Sequence, residues 1–154
     1  MVSESTNTRK QDHKEKDYSF TCESWPLLPE GIYQAQCVHY EIGRSHPHSQ
    51  KLFLHFQITE GQYLGERLFM AINLTDNKGR IKRKFGQSSR FYEAWVIAND
   101  NQHPPRNDRM SPSKFKNGIF EVKVRTTKPK YTDGRNKPEC FHYSVVDYLI
   151  KRLA

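Results

Sequence analysis

Cysteine, long apolar runs and catalytic signatures are all scarce in this 154-residue chain. Cys22, Cys37 and Cys140 are odd in number and have no C-x-x-C spacing. That usage argues against a disulfide framework and for reduced thiols in a cytoplasm. No apolar run approaches the ~20 residues of a membrane-spanning helix, so no membrane partner is expected. The stretch MVSESTNTRKQDHKEKDY at the start is polar throughout and lacks the apolar centre of a secretory signal peptide. There is no phosphate-cradling G-x-x-x-x-G-K-[ST], no paired acidic nuclease motif and no nucleophile elbow. The expectation is therefore a protein that is not an enzyme and needs no cofactor.

Metal chemistry is equally thin. His46-Pro47-His48, with His39 and Cys37 nearby, matches no standard zinc-ligand spacing, so no metal site is expected. His103 and Asp108, flanked by Arg106 and Arg109, have the residue types of an acid–base pair. An aspartate between two arginines more often forms an ion pair that shapes a loop.

Positive charge, by contrast, is abundant and unevenly placed. The formal net charge is +8. Residues 1–30 hold four Lys/Arg against six Asp/Glu, whereas residues 31–154 hold 21 against 11. A basic body behind a mildly acidic leader points to a polyanionic partner. The alternative is a solvated basic surface that serves solubility. Residues 1–24 lack periodicity and read as a disordered leader. Residues 25–154 are long enough to bury one core without staples and read as a single domain. Trp25 to Gly31 is a short apolar lead-in whose two prolines oppose regular structure.

Alternation marks the strands. Leu52, Leu54, Phe56 and Ile58 alternate with Phe53, His55 and Gln57, and Leu68, Met70, Ile72 and Leu74 alternate with Arg67, Phe69, Ala71 and Asn73. Period-two spacing sends the first set of each run to one face and the second set to the other. One face packs a core. The other displays Phe53, His55, Arg67 and Phe69, and outward Phe rings need a cover. That cover is either protein, a terminal segment or a partner subunit, or it is nucleobases.

Similar reasoning places a strand at Ile32–Tyr40 with both faces partly covered, a loop at Gly43–Gln50, strands at Gln50–Thr59 and Glu66–Leu74, and a strand at Ile119–Thr126. A final strand is expected at Phe141–Val146, followed by a short helix over Val146–Leu153. Ser88 or Ser89 caps a helix running to about Asn99, with Phe91, Tyr92 and Trp95 as core rather than ligand contacts. Ser111-Pro112 starts a short turn through Phe115.

Three strands, a helix and two more strands match an all-β fold, the five-stranded Greek-key barrel called the OB-fold, with the helix between strands three and four. That architecture binds ligands on the face of strands two and three, flanked by the first–second and fourth–fifth strand loops. Here the first of those loops holds Arg44, His46 and His48. The last holds Lys128, Lys130, Tyr131, Arg135 and Lys137. A further cluster, Lys78, Arg80, Lys82, Arg83 and Lys84, follows strand three and suits phosphate contact. A solvated loop or a localisation-like patch is its other reading. Phe53, Phe69 and Tyr131 are the candidate stacking rings.

Gly31-Ile32-Tyr33 opening a strand, then Glu60-Gly61-x-Tyr63-x-Gly65 before a second apolar strand, resembles the small OB-fold single-stranded-DNA-binding proteins of phages, plasmids and integrative elements. The motifs span residues 29–75; only the order of elements extends the resemblance to about residue 148. It implies sequence-tolerant binding of single-stranded DNA in replication, recombination or defence-related DNA processing. Many such proteins end in an acidic tail that recruits partners, whereas this chain ends Tyr148-Leu149-Ile150-Lys151-Arg152-Leu153-Ala154. Those apolar residues are expected to dock on the barrel or on another subunit, which would make a homo-oligomer. The rival expectations are an interaction subunit of a larger nucleoprotein complex and an RNA-binding OB domain, the latter requiring contacts to the 2′-hydroxyl.

Overall fold

A computed structural model of the chain describes residues 25–46, 49–106 and 108–154. The leader expected over residues 1–24, with Cys22, lies outside them, as do Pro47 and His48.

Five strands form one antiparallel sheet among the described residues: β1 (Gly31–His46), β2 (Ser49–Ile58), β3 (Arg67–Asn73), β4 (Ile119–Thr127) and β5 (Tyr143–Arg152). Their order is β3-β2-β1-β4-β5. One α-helix, α1 (Arg90–Ala98), lies between β3 and β4 in the chain. No described helix is long and apolar enough to cross a membrane.

The alternation in β2 and β3 translates directly into register. Leu52 pairs with Ile72, Leu54 with Met70 and Phe56 with Leu68, and all six side chains are buried. On the opposite face Phe53 pairs with Ala71, His55 with Phe69 and Gln57 with Arg67. Burying each Leu, Ile or Phe contributes ~1.5–3 kcal/mol, so a one-residue slip of β2, which would expose the whole inner set, is strongly disfavoured.

In β1 the pattern breaks for a local reason. Its register with β2 shifts between Cys37 and His39, so Val38 is an extra residue. This bulge exchanges the two parities. Ala35 and Cys37 before it, and Tyr40 after it, therefore share the core side, which is why both faces of β1 read as covered. β1 also runs past Tyr40, with Gly43 opposite Lys51 and Arg44 opposite Gln50. The loop expected at Gly43–Gln50 is thus mostly strand. Arg44 stands on β1, and the pairing with β2 continues to His46 opposite Ser49.

The β2–β3 turn uses two glycines in the left-handed region, Gly61 at φ 83° and Gly65 at φ 89°. Gly65 N–H donates to the Ile58 carbonyl at 2.9 Å. Tyr63 meets Tyr33 of β1 edge-on at 6.0 Å, and the Tyr33 hydroxyl donates to the Pro29 carbonyl at 2.6 Å. The glycines and tyrosines of the resemblance motif therefore shape a turn and fasten it to β1.

The helix begins where its cap directs. Ser89 Oγ accepts from Tyr92 N–H at 3.2 Å, and α1 packs on the core against β3 and β5. Phe91, Ala94, Trp95 and Ala98 are buried with Phe56, Phe115 and Phe120. Trp95 Nε1 donates to the Ser111 carbonyl at 3.0 Å. Pro112–Lys114 forms the short 3-10 turn expected after Ser111.

The C-terminal helix expected over Val146–Leu153 is a strand instead. β5 continues to Arg152, because Val146, Leu149 and the rest pair with β4 through two register shifts. Those irregularities disturb the alternation and mimic a helical spacing of apolar residues. Phe141, expected in the strand, ends a 3-10 turn (Glu139–Phe141) and is exposed. Arg152 then ties the strand to the helix end, donating to the carbonyls of Ala98 at 2.8 Å and Lys114 at 3.0 Å.

The expected barrel is not closed by hydrogen bonds. β3 and β5 are the two edges of the sheet, and they approach each other through side chains. The free edge of β5 has other partners. Ser144 N–H donates to the Pro26 carbonyl at 2.9 Å, and the Asp147 carbonyl accepts from the Arg90 guanidinium. Residues 25–30 lie along this end of the sheet. Buried Ser144 Oγ accepts from Leu28 N–H at 2.7 Å and donates to the Leu28 carbonyl at 3.2 Å. The Glu30 carboxylate accepts from Thr126 N–H at 2.9 Å.

Candidate nucleic-acid interface

The strand register brings Phe53, His55, Arg67 and Phe69 onto one outward face, with Lys51 and Ala71 beside them. Phe53, His55 and Phe69 are half-buried and Arg67 is exposed. Phe69 sits at the centre of an aromatic group. Trp25 meets it edge-on at 4.7 Å, Phe53 lies at 6.1 Å, and Tyr143 of β5 stacks on it at 6.2 Å with planes 26° apart. Part of the expected cover is therefore protein: the lead-in segment lays Trp25 on Phe69. Trp25 itself remains 43% exposed.

Phe53 lies over the backbone of β1 at Gly43. A Cβ at Gly43 would come within 3.1 Å of the ring. The missing side chain is what lets the ring lie low across two strands.

His55 is engaged on the same face. Its Nε2 is 3.0 Å from Glu41 Oε1, and its ring stacks on His39 at 5.8 Å. The face thus has an aromatic centre and a Glu41–His55–His39 corner. Along the β3–β5 seam the aromatic centre opens into a groove of about 310 Å³ rimmed by Lys51, Arg90 and Arg125.

Two basic arms leave this face from opposite ends of β3 and β5, which run parallel. The first is the turn after β3. Thr75 bridges to Ile81, and Lys82 N–H donates to the Leu74 carbonyl at 2.9 Å. Asp76 organises the turn, its Oδ1 accepting from Lys78 N–H at 2.9 Å and Arg80 N–H at 3.0 Å. The bond from the Arg80 backbone, then that from Lys78 and the nearby cations, hold the Asp76 carboxyl below its ordinary range despite some desolvation. Arg80 Nε also lies 3.7 Å from Asp76. Lys82, Arg83 and Lys84 are exposed and make no ion pair among the described residues.

The second arm is a hairpin leading into β5. Lys130 bridges to Asn136, Tyr131 N–H donates to the Arg135 carbonyl at 2.8 Å, and Gly134 turns at φ 87°. Arg135 and Lys137 sit 5.3 and 5.5 Å from the Tyr131 ring, and Lys137 is also 5.5 Å from Phe141. Cation–π attraction of ~0.5–1 kcal/mol at an exposed site keeps these side chains together. Arg135 is also paired with Asp133. Lys128 and Lys130 are exposed, with no ion pair among the described residues.

Other groups singled out in the sequence do not meet. His103 Nδ1 is 3.0 Å from the Tyr92 hydroxyl, while Asp108 takes two hydrogen bonds from Arg106, so no His103–Asp108 pair forms. Cys37 points into the core and His39 to the outer face, on either side of the bulge. Burial pushes the Cys37 thiol up to about 11. Among the described residues no three His, Cys, Asp or Glu side chains are grouped to hold a metal.

Alternation could have found Lys51, which shares parity with Phe53. Tyr143 was visible as one face of its strand. Arg90 follows the basic cluster and Arg125 has the outward parity of its strand, but nothing local signals the partners of these two or of Trp25, which lie far along the chain. No protein-family model matches this sequence, and no curated protein resembles it at a significant level.

Proposed function

We propose that this chain binds single-stranded DNA with little sequence preference, as a member of the OB-type binding proteins, in replication, recombination or processing of a mobile element's DNA. The observation carrying this reading is the in-register aromatic face of β2 and β3 set between two basic arms. Stacking on an aromatic ring contributes ~1–3 kcal/mol per base and tolerates any base. Phe53, the uncovered part of Phe69 and the exposed part of Trp25 supply rings, as does Tyr131 on its arm. Arg67, Lys82, Arg83, Lys84, Lys128 and Lys130 supply phosphate contacts, which need no sequence code. The order β3-β2-β1-β4-β5, with β3 and β5 brought together, also supports an OB-type barrel left partly open at that seam; that fold binds oligonucleotides on strands two and three.

The test is a titration of labelled single-stranded DNA, duplex DNA and RNA side by side at two salt concentrations. Tight, salt-sensitive binding of single-stranded DNA is expected. Its absence at low salt contradicts the proposal, and a clear preference for RNA moves the assignment to an RNA-binding domain.

One observation favours a second reading. Trp25 and Tyr143 already cover much of Phe69, and Glu41 puts a carboxylate on the face. A subunit that meets nucleic acid only inside a larger complex would have such a face. A purified chain that fails to bind DNA but co-purifies with one defined partner supports this alternative.

A further inference from the structure

The gap between β3 and β5 is a built feature with its own chemistry. It stays open because the β5 edge is engaged elsewhere, Ser144 N–H with Pro26 and the Asp147 carbonyl with Arg90. These same bonds occupy two of the backbone groups that an added peptide strand would need. The groove left behind measures about 310 Å³, near the lower end of the ~300–1,000 Å³ typical of small-ligand sites. It therefore suits one compact ligand rather than a chain of them.

Its lining sorts into two parts. Phe69 and Tyr143, with planes 26° apart, form an aromatic wall, and small Ala71 leaves space beside it. Lys51, Arg90 and Arg125 supply three cations at the rim. One carboxylate lies near, Asp147, whose Oδ1 is 3.1 Å from Arg125 Nε. Arg90 gives one hydrogen bond to a carbonyl, Arg125 is shared between Asp147 and Thr127, and Lys51 makes no ion pair among the described residues. A guanidinium has five N–H donors, so both arginines keep donors for a further acceptor, and the rim stays net positive.

We infer that this groove holds a single nucleotide, its base against the Tyr143–Phe69 wall and its phosphate among Lys51, Arg90 and Arg125. Resting on the nucleic-acid reading above, it gives a bound strand one anchored position, where a base leaves the row stacked on the outer face. A phosphate there gains charge-assisted hydrogen bonds that a free nucleoside lacks.

The full chain is titrated with thymidine 5′-monophosphate, thymidine and inorganic phosphate, following Tyr143 and Lys51 resonances by NMR. A labelled oligothymidylate is titrated in parallel. The monophosphate is expected to bind at least tenfold tighter than either fragment. Lys51→Gln and Tyr143→Leu should each weaken it by about tenfold, a change equal to ~1.4 kcal/mol. Tyr143→Phe, which keeps the ring, should restore binding. If the oligothymidylate binds but the monophosphate does not, or if the variants leave its affinity unchanged, the groove is not a nucleotide site and the broader reading survives. If the monophosphate binds with the stated sensitivity and the oligothymidylate does not, the groove stands and single-strand binding falls. If neither binds, both are wrong.

Discussion

Single residues carry much of this molecule's specificity of structure. Gly118 is one. A Cβ there would sit 2.6 Å from Cε2 of fully buried Phe120 and 3.2 Å from the Phe115 carbonyl. Phe120 has no room to yield, so Gly118→Ala should destabilise by ~1–3 kcal/mol, as overpacking does; thermal unfolding measures it. Ser144 is another. Its hydroxyl both accepts from and donates to Leu28 in a buried position, so Ser144→Ala leaves two backbone groups unpaired, at ~1–3 kcal/mol. It should also loosen the lead-in segment and shift Trp25 emission toward that of a water-exposed indole. The two described cysteines differ in the same physical terms. Cys140 is exposed and Cys37 buried, with its thiol pushed up to about 11. A thiol-specific alkylating reagent near pH 8 should label Cys140 and spare Cys37 until the protein unfolds. Because the folded thiol holds its proton longer than the unfolded one, stability should fall as pH rises from about 9 toward 11. Early labelling of Cys37 would contradict its place in the core. Residue-level readings from sequence succeeded where environment follows parity, as for Phe53 and Phe69. The contacts of Trp25 and Arg90 are not legible in the sequence, because Trp25 finds Phe69, and Arg90 finds Asp147 57 positions away, only after the sheet has curled.

Among the elements, β2, β3 and β4 were legible because each buries alternate residues along its length, so the apolar alternation marks one face. β1 and β5 were read too short. The bulge at Val38 and the two irregularities between β4 and β5 change parity partway along, and a strand whose parity changes imitates a loop or a helix. The basic turn after β3 has an internal organiser that the charge pattern did not reveal. Asp76 accepts from two backbone N–H groups through Oδ1, and the ionised carboxylate accepts more strongly than the protonated acid. Its folded-state value is lowered, so its contribution is present above the ordinary value of 3.8 and is lost as pH falls through the lower folded one. Amide resonances of Lys78 and Arg80 should therefore collapse to loop-like positions in acid while those of β2 and β3 persist, and Asp76→Ala should do the same at neutral pH. If the arm contacts phosphates, replacing Lys82, Arg83 and Lys84 with Gln should lower the slope of log affinity against log salt by about 2, since each single-strand phosphate contact contributes ~0.7. An unchanged slope would assign those cations to solvent.

At the scale of the whole molecule, the sheet is a strip curled until its two edges meet through Phe69, Tyr143 and Arg90 rather than through a ladder. That arrangement leaves one face aromatic, two arms basic and a groove between the edges. In the proposed binding mode, rings and cations contribute separately. Titrating the wild type and a Phe53→Ala, Phe69→Ala double variant with labelled single-stranded DNA across a salt series separates them, with circular dichroism confirming that the variant folds. The expected result is an affinity loss of at least tenfold, as ~1–3 kcal/mol per lost base contact implies, with the salt dependence unchanged. Affinity equal to the wild type, or a loss that appears wholly as a shallower salt slope, would contradict stacking on this face.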